Sequence, residues 1–414
     1  VAGSADRTRT TFRHELWRAG TAGIIETAGT TFLLLIAVSW FEAGSVAKAL
    51  VSGSGALGLL LSPVFVTLVA SRHWRTTRAA ACALLLGAGC FVLAAWQPRL
   101  PVFVICSVLA MATSSIIIPL VTQLYHDNYP SEVRGRLFSR TVMVRIATAA
   151  VFGKVAGDAL DRRMDAFPIL LLVLAGALVT AAFCLSRCPG RPLGREGSSH
   201  PLRALRYARE DRLFRLTLIS WMLLGFANLM MLPLRIEYLA NPAYGLALTA
   251  GKVALLTVVI PNIARLLLSP VWGHFFDHMN FFLLRSLLNI GFIVGMLLFF
   301  LSDSLPGLML GAVVFGVANA GGEVAWSLWV TKFAQPERVA DYMSVHTFLT
   351  GVRGVAAPLC GFFLAQVVSL DSLALVSGII MMLATLLLMP EVWKGGGTGN
   401  GSRAEGPDPG PPEE

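Results

Sequence analysis

Glu26, Arg145, Arg265, Glu323 and Arg353 are ionisable residues that stand inside long apolar runs of this sequence. A charge at mid-membrane costs about 2.5–3.5 kcal/mol on insertion scales and persists where it faces a cavity or a partner. A desolvated carboxylate takes up a proton more readily and loads near neutral pH. Glu26 and Glu323 are therefore the candidate proton carriers. A guanidinium keeps its charge, so Arg145, Arg265 and Arg353 can bind an anion or compensate an acid. The competing reading makes the glutamates structural ion-pair partners of these arginines, and the arginines interface or snorkelling residues. Asn319, Glu323 and Ser327 follow one another at intervals of four, which puts them on one helical stripe. Asn228 adds a further amide. Three arginines against two acids leave the interior positive and point to a small organic anion as solute. By residue count Arg353 lies nearest the middle of its run, and the other four lie toward the basic ends. The depth of Lys154 and Asp158, which bear on this balance, stays open.

Other reactive groups suggest less. His274 and His278 flank Asp277 at one-turn spacing, but the ligand set of a metal site is missing and no metal is expected. The six cysteines match no zinc or redox spacing and read as thiols packed in helices. His346 reads as a packing residue with hydrogen bonds rather than as a pH switch. No nucleophile–base set and no phosphate loop is present. This argues against an enzyme, an ATP-driven pump and any cofactor.

The elements that position these residues follow from composition. Of 414 residues, 55% are hydrophobic and 14% charged, against about 25% charged in soluble proteins. Runs of about 20 apolar residues suffice to cross a bilayer. Twelve are readable: 19–41, 46–71, 78–96, 101–124, 138–158, 167–187, 214–239, 249–272, 283–302, 306–330, 341–368 and 371–390. They are apolar all round, as buried membrane helices are, and strands would leave lipid-facing backbone groups unpaired. The expected fold is an all-α polytopic membrane protein of twelve transmembrane helices in two pseudo-symmetric six-helix bundles. The first run is too long for a signal core, so no cleavable leader is expected.

The net charge of +9 sits between the runs, with no nucleic-acid-binding motif to use it. Arginines cluster before the first run (Arg7, Arg9, Arg13, Arg18) and after the second, fourth and sixth, while alternate loops are poor in them. By the positive-inside rule both termini are cytoplasmic, in an inner or plasma membrane. Residues 1–187 form the first half, 188–212 a Pro-, Gly- and Arg-rich cytoplasmic linker, 213–393 the second half and 394–414 a tail expected to be disordered. Pro201–Phe214 is either a surface amphipathic helix or a solvated basic loop.

The two halves echo each other. Leu59–Val64 and Leu266–Val271 both read LLLSPV, 207 residues apart, and Arg145, Ala149 and Gly153 recur 208 residues later as Arg353, Ala357 and Gly361. Parallel repeats of this kind place a substrate near the bilayer midplane between the halves.

With these repeats, twelve runs and a long central loop, residues 14–392 resemble the major facilitator superfamily. Gly273-His-Phe-Phe-Asp277-His-Met-Asn followed by Arg285 is similar to the family's signature loop after the eighth span. Glycine there permits a close helix turn, and the acid meets the positive N-terminal end of a neighbouring helix. The resemblance implies a conformational latch in which Asp277 faces the start of the fifth span near Arg136 and Arg140; an ordinary polar turn is the alternative. The first-half copy carries Ala70 and Val66 at the matching positions, so the latch is one-sided. Tyr129–Arg136 and Gln335–Arg338 resemble the matching loops after the fourth and tenth spans. The signatures of drug antiporters are weak: the fourth span has no arginine, and the fifth has Gly153 and Gly157 but no Gly-Pro.

In the family the first, fourth, seventh and tenth spans line the cavity, which implies that Glu26, Asn228, Asn319 and Glu323 face it. The implied function is a monomeric, proton-coupled secondary transporter for a small solute. A drug or amphiphile antiporter, a sugar-type porter and a non-transporting receptor on the same fold are the alternatives.

Overall fold

The computed structural model describes residues 2–192, 205–332 and 339–396, and they are almost wholly helical. A uniformly apolar run satisfies its backbone groups within itself only as a helix, and each of the twelve runs becomes one. The first half comprises α1 (Ala2–Thr27, a π turn Ala28–Phe32, then Leu33–Ser39), α2 (Ser45–Ser71), α3 (Thr76–Trp96), α4 (Leu100–Ile116 and Ile118–Asn128), α5 (Ser131–Arg162) and α6 (Phe167–Arg187). The second half comprises α7 (Arg212–Ala240), α8 (Ala250–Ala254, a π turn Leu255–Val259, then Ile260–His278), α9 (Phe281–Phe300), α10 (Leu305–Leu328), α11 (Val339–Leu364) and α12 (Leu370–Leu386).

Among the described residues, eleven helices are long and apolar enough to cross a membrane. The remaining one of the twelve is α5, whose run is interrupted by charges and which packs on α1 and α8. Large apolar side chains such as Leu86, Ile105, Ile169 and Ile379 point outward, the surface expected of an integral membrane protein. Local chemistry sets several helix starts. Asp211 accepts from the Phe214 amide, Asn280 from the Phe282 and Leu283 amides, and Ser304 from the Gly307 amide. Pro101, Pro168 and Pro306 occupy first turns, where no amide hydrogen is needed.

The repeat is visible in the packing. In the first half α1 packs on α5 and α6, α2 on α4, and α3 on α4 and α6. Shifting every number by six gives the second half: α7 on α11 and α12, α8 on α10, and α9 on α10 and α12. The contacts between halves obey the same rule, α2 on α11 and α8 on α5. The LLLSPV copies place Pro63 inside α2 and Pro270 inside α8, and Ala149 and Ala357 are both fully buried.

Four sequence expectations change. The first helix begins at Ala2, well before residue 19. Arg18, a flanking arginine by its place in the sequence, lies in the interior: it binds Glu15, its Nη2 lies 2.8 Å from the Tyr125 hydroxyl, and that hydroxyl donates to Glu15 at 2.6 Å. This closed network lets a charged first turn continue the helix inside the bundle. Within Pro201–Phe214, residues 205–214 form only a four-residue helix, Tyr207–Glu210, before α7 starts. The remaining linker residues 193–204, the Gln335–Arg338 loop and tail residues 397–414 lie outside the described residues. Gly395 and Gly396, expected in the tail, end a short helix, Met389–Gly396.

Candidate functional site

Glu26, Arg145, Arg265 and Glu323, scattered over 298 residues of sequence, meet in one cluster between the halves. Two helices of each half supply them: α1 and α5, then α8 and α10. Glycines allow the approach. A Cβ at Gly23 would stand 2.3 Å from the Arg145 carbonyl oxygen, and one at Gly316 2.7 Å from Pro261 Cα. Those contacts bring α1 against α5 and α10 against α8. The π turns sit beside the cluster, one just after Glu26 and one before Arg265. They touch across the halves, Thr31 Oγ1 to Thr257 Oγ1 at 3.1 Å. A π turn inserts one residue and re-aims the side chains beyond it, and is frequent at functional sites.

The four charges form a closed ring. Arg265 donates from Nη1 to Glu26 Oε1 and from Nη2 to Glu323 Oε2, both at 2.6 Å. Arg145 Nη2 donates to Glu323 Oε1, and its Nη1 lies 3.1 Å from Glu26 Oε2, an ion contact without hydrogen-bond alignment. Asn262 Oδ1 accepts from Arg265 Nη1 at 2.8 Å, while its amide donates to the Val258 carbonyl. The Arg265 side chain is 7% exposed, but Glu26 is 21% and Arg145 and Glu323 are each 29% exposed. The ring thus has a buried back and an open front. Its charge is balanced, two acids against two guanidiniums, so the glutamates are both ion-paired and reachable. Asn228 and Asn319 are half-buried and make no side-chain hydrogen bond among the described residues. The Ser327 side chain lies outside them.

Arg353 is not part of this ring. It is buried against Gly225 of α7 and donates from Nη1 to the Trp221 carbonyl. The excess positive charge read from the sequence is therefore displaced from the four-residue ring into the second half. Arg285 also departs from expectation. It lies in the second turn of α9, not in the loop, and is 1% exposed with its guanidinium 3.3 Å from the Trp221 ring centre. Lys154 pairs with Asp158 on the exposed side of α5 at 2.6 Å.

At the end of the molecule that carries the arginine-rich turns, the residues of the expected latch stand apart. Asp277, Arg136 and Arg140 are exposed and form no ion pair among the described residues. Gly273 lies within α8, which runs on to His278, and nothing stands near its missing side chain; the turn comes later, at Met279–Asn280. At the opposite end the halves are shut. A Cβ at Gly157 would stand 2.5 Å from Ala254 Cβ, and one at Gly153 2.5 Å from Val258 Cγ1. Gln366 donates to Ser45 at 2.8 Å.

The same end holds an ion pair that hydropathy conceals. Lys48 of α2 donates to Glu237 of α7 at 2.6 Å, and Asn241 donates to the same oxygen at 2.7 Å. The pair is nearly buried, with side chains 11% and 6% exposed. Lys48 and Glu237 stand near the ends of apolar runs, where charged residues commonly flank a span, so the sequence offered no reason to pair them. Removing one partner of a buried pair strands the other. Lys48→Met is expected to weaken closure here. Spin labels at Val46 and Ala243 will then show a longer-distance population than in the parent; an unchanged distribution would mean the pair does not hold this end.

No family model matches the sequence, and no curated protein does either. Solved structures do match in shape. A mutant of the nucleoside transporter NupG superimposes with a TM-score of 0.75 at 13% identity, over 92% of this chain and 99% of that one. A POT family transporter in complex with a thioalcohol-conjugated peptide gives 0.70 at 14% identity, over 94% and 96%. A D-xylose-proton symporter gives 0.64 at 17% identity, over 92% and 95%. With twelve helices in two six-helix repeats joined through α2–α11 and α5–α8, the chain has the fold of the major facilitator superfamily.

Proposed function

We propose that the protein is a secondary active transporter that moves a small organic solute by alternating access, with protons as the coupling ion and Glu26 and Glu323 as their carriers. The observation that carries this reading is the ring of Glu26, Arg145, Arg265 and Glu323 on the seam between the halves. Two of its four bridges cross the seam, Arg265–Glu26 and Arg145–Glu323. The other two, Arg145–Glu26 and Arg265–Glu323, stay within a half. When the halves part, each keeps one acid and one base, so no charge is stranded in the apolar interior. A buried charge without its partner is costly, and this division avoids it.

Protonation supplies the switch. A neutral glutamic acid no longer neutralises its two guanidiniums, so loading Glu26 or Glu323 loosens one crossing bridge and one internal bridge. The partial exposure of both carboxylates gives water a route to them. Coupling then follows if the loaded ring favours one arrangement of the halves over the other, because a ligand shifts a conformational equilibrium only by its differential affinity for the two states. In the family-like orientation the arginine-rich end is cytoplasmic and both termini lie there; contact of the halves at the opposite end (Gly157 on Ala254, Gly153 on Val258) supports reading this arrangement as closed to the outside. Asp277, Arg136 and Arg140 would meet when the arginine-rich end closes. One similar structure is described as a proton symporter, which supports the choice of ion.

The test is reconstitution of the purified protein in liposomes with an internal pH dye, screened against pools of organic anions, sugars, nucleosides and amphiphilic drugs. A substrate-dependent proton flux that disappears in Glu26→Gln and in Glu323→Gln is expected. Solute flux with no proton movement would make the protein a uniporter or a carrier coupled to another ion, and both glutamates structural.

A further inference from the structure

The second half contains a concentration of buried hydrogen-bond donors that the four-residue ring does not use. Arg285 of α9 is 1% exposed, and among the described residues none of its three guanidinium nitrogens has a hydrogen-bond partner. Arg353 of α11 is 8% exposed; one nitrogen reaches the Trp221 carbonyl, and its Nε has no partner among the described residues. The two guanidiniums meet at Trp221, one over the ring and the other at the backbone carbonyl. Among the described residues the Trp221 indole Nε1–H is also unpartnered, as are both ring nitrogens of His346, which is fully buried with its ring 5.4 Å from that of Trp221. No carboxylate is paired with either arginine among the described residues.

This is an unstable arrangement by itself. Buried polar groups in native proteins are nearly always hydrogen-bonded, and an exception calls for an explanation. Two like charges in a low-dielectric interior repel strongly, and a buried charge requires a partner. The Trp221 ring stabilises the face of the Arg285 guanidinium, but the N–H groups in the plane of the guanidinium remain unused. Their chemistry is that of a receptor for an oxyanion, because a guanidinium fork matches the paired oxygens of a carboxylate or phosphate. The indole and imidazole N–H groups add neutral donors beside it.

We propose that Arg285, Arg353, Trp221 and His346 form a binding site for a carboxylate- or phosphate-bearing group inside the second half, separate from the ring of four charges. The site belongs to the α7–α9–α11 side of the bundle. It does not depend on proton coupling or on transport, since it rests on the local excess of buried donors. The anion comes either from a free solute or from a lipid headgroup, and the same contacts serve both.

Thermal unfolding of the whole purified protein tests this. Inorganic phosphate and acetate are each titrated against chloride at constant ionic strength, in detergent. In parallel, the protein is compared in nanodiscs of phosphatidylglycerol and of phosphatidylcholine. A saturable rise in the unfolding midpoint with phosphate or acetate assigns the site to a free solute. A rise confined to phosphatidylglycerol assigns it to a lipid headgroup. In either case Arg285→Met and Arg353→Met lose the response. In chloride and phosphatidylcholine, Arg285→Met should unfold at the same or a higher midpoint than the parent, because one of two like charges is gone; with the effective probe present the order reverses. Trp221→Phe keeps the ring and carbonyl, and is expected to weaken probe binding several-fold; it serves as the readout if an arginine variant does not fold. An absent response in the parent to every probe, or an equal response in the parent and the variants, would overturn the proposal.

Discussion

Arg265→Met is expected to destabilise the protein by about 3–5 kcal/mol, the cost typical of removing one partner from a buried ion pair, and to abolish transport. Arg265 is the most deeply buried member of the ring, 7% exposed, and it donates to both glutamates. Without it Glu26 and Glu323 share Arg145 alone, and two carboxylates in one site repel. The control that separates charge balance from lost packing is the double variant Arg265→Met/Glu323→Gln. It leaves the Arg145–Glu26 pair intact and neutral, so most of the stability should return. Residues of one ion-pair network show coupling of about 0.5–3 kcal/mol in such cycles. Denaturant or thermal unfolding of the parent, both single variants and the double variant measures it. Purely additive effects would mean that the four residues are neighbours without being one electrostatic unit. Transport should stay lost in the double variant, because Glu323 can no longer exchange a proton; its recovery there would remove Glu323 from the coupling mechanism.

Gly157→Trp should push the protein toward the arrangement open at the end remote from the arginine-rich turns. The missing side chain of Gly157 faces Ala254 Cβ at 2.5 Å and Gly251 Cα at 3.4 Å from where a Cβ would stand. An indole therefore has no room while this end is shut. Overpacking a well-packed interface costs about 1–3 kcal/mol or more, equivalent to a shift of about 5- to 150-fold in the balance of two states. The other arrangement parts α5 from α8 at this end and relieves the clash, so the variant should fold and not merely lose stability. A cysteine at Thr31, fully buried and bonded across the seam to Thr257, reports the change in a background without other reactive thiols. Its labelling by a hydrophilic maleimide should accelerate at least about fivefold, the lower bound of that shift. A Trp variant with parental labelling and parental stability would show that α5 and α8 do not form the gate.

Much of this protein can be read from the sequence because a membrane leaves the chain few choices. Without water to bind exposed backbone groups, an apolar run of sufficient length becomes a helix. The twelve runs, their order and the two-half plan therefore follow from hydropathy and from the repeats at Leu59–Val64 and Leu266–Val271. The same reasoning picks out Glu26, Arg145, Arg265, Glu323 and Arg353, since a charge in an apolar run must have a partner or a function. Charged ends were less legible: Arg18 looks like a flanking arginine, yet it sits inside a network with Glu15 and Tyr125.

Which charge meets which was decided only by the tertiary structure. Hydropathy is a one-dimensional quantity, and partners in this ring lie as far apart as Arg265 and Glu26, 239 residues. Pseudosymmetry misleads here as well. Arg145 and Arg353 are equivalent by repeat, but α1 offers Glu26 to the first, whereas α7 offers the Trp221 carbonyl and the Gly225 surface to the second. Lys48 and Glu237 read as the ends of spans until α2 and α7 bring them within 2.6 Å. Arg285, assigned to a loop by spacing, turns inward because α9 starts four residues earlier and one helical turn rotates it onto Trp221. Sequence determines that these charges must be compensated; the rotation of each helix about its axis and the close approach allowed at Gly23, Gly225 and Gly316 determine by what.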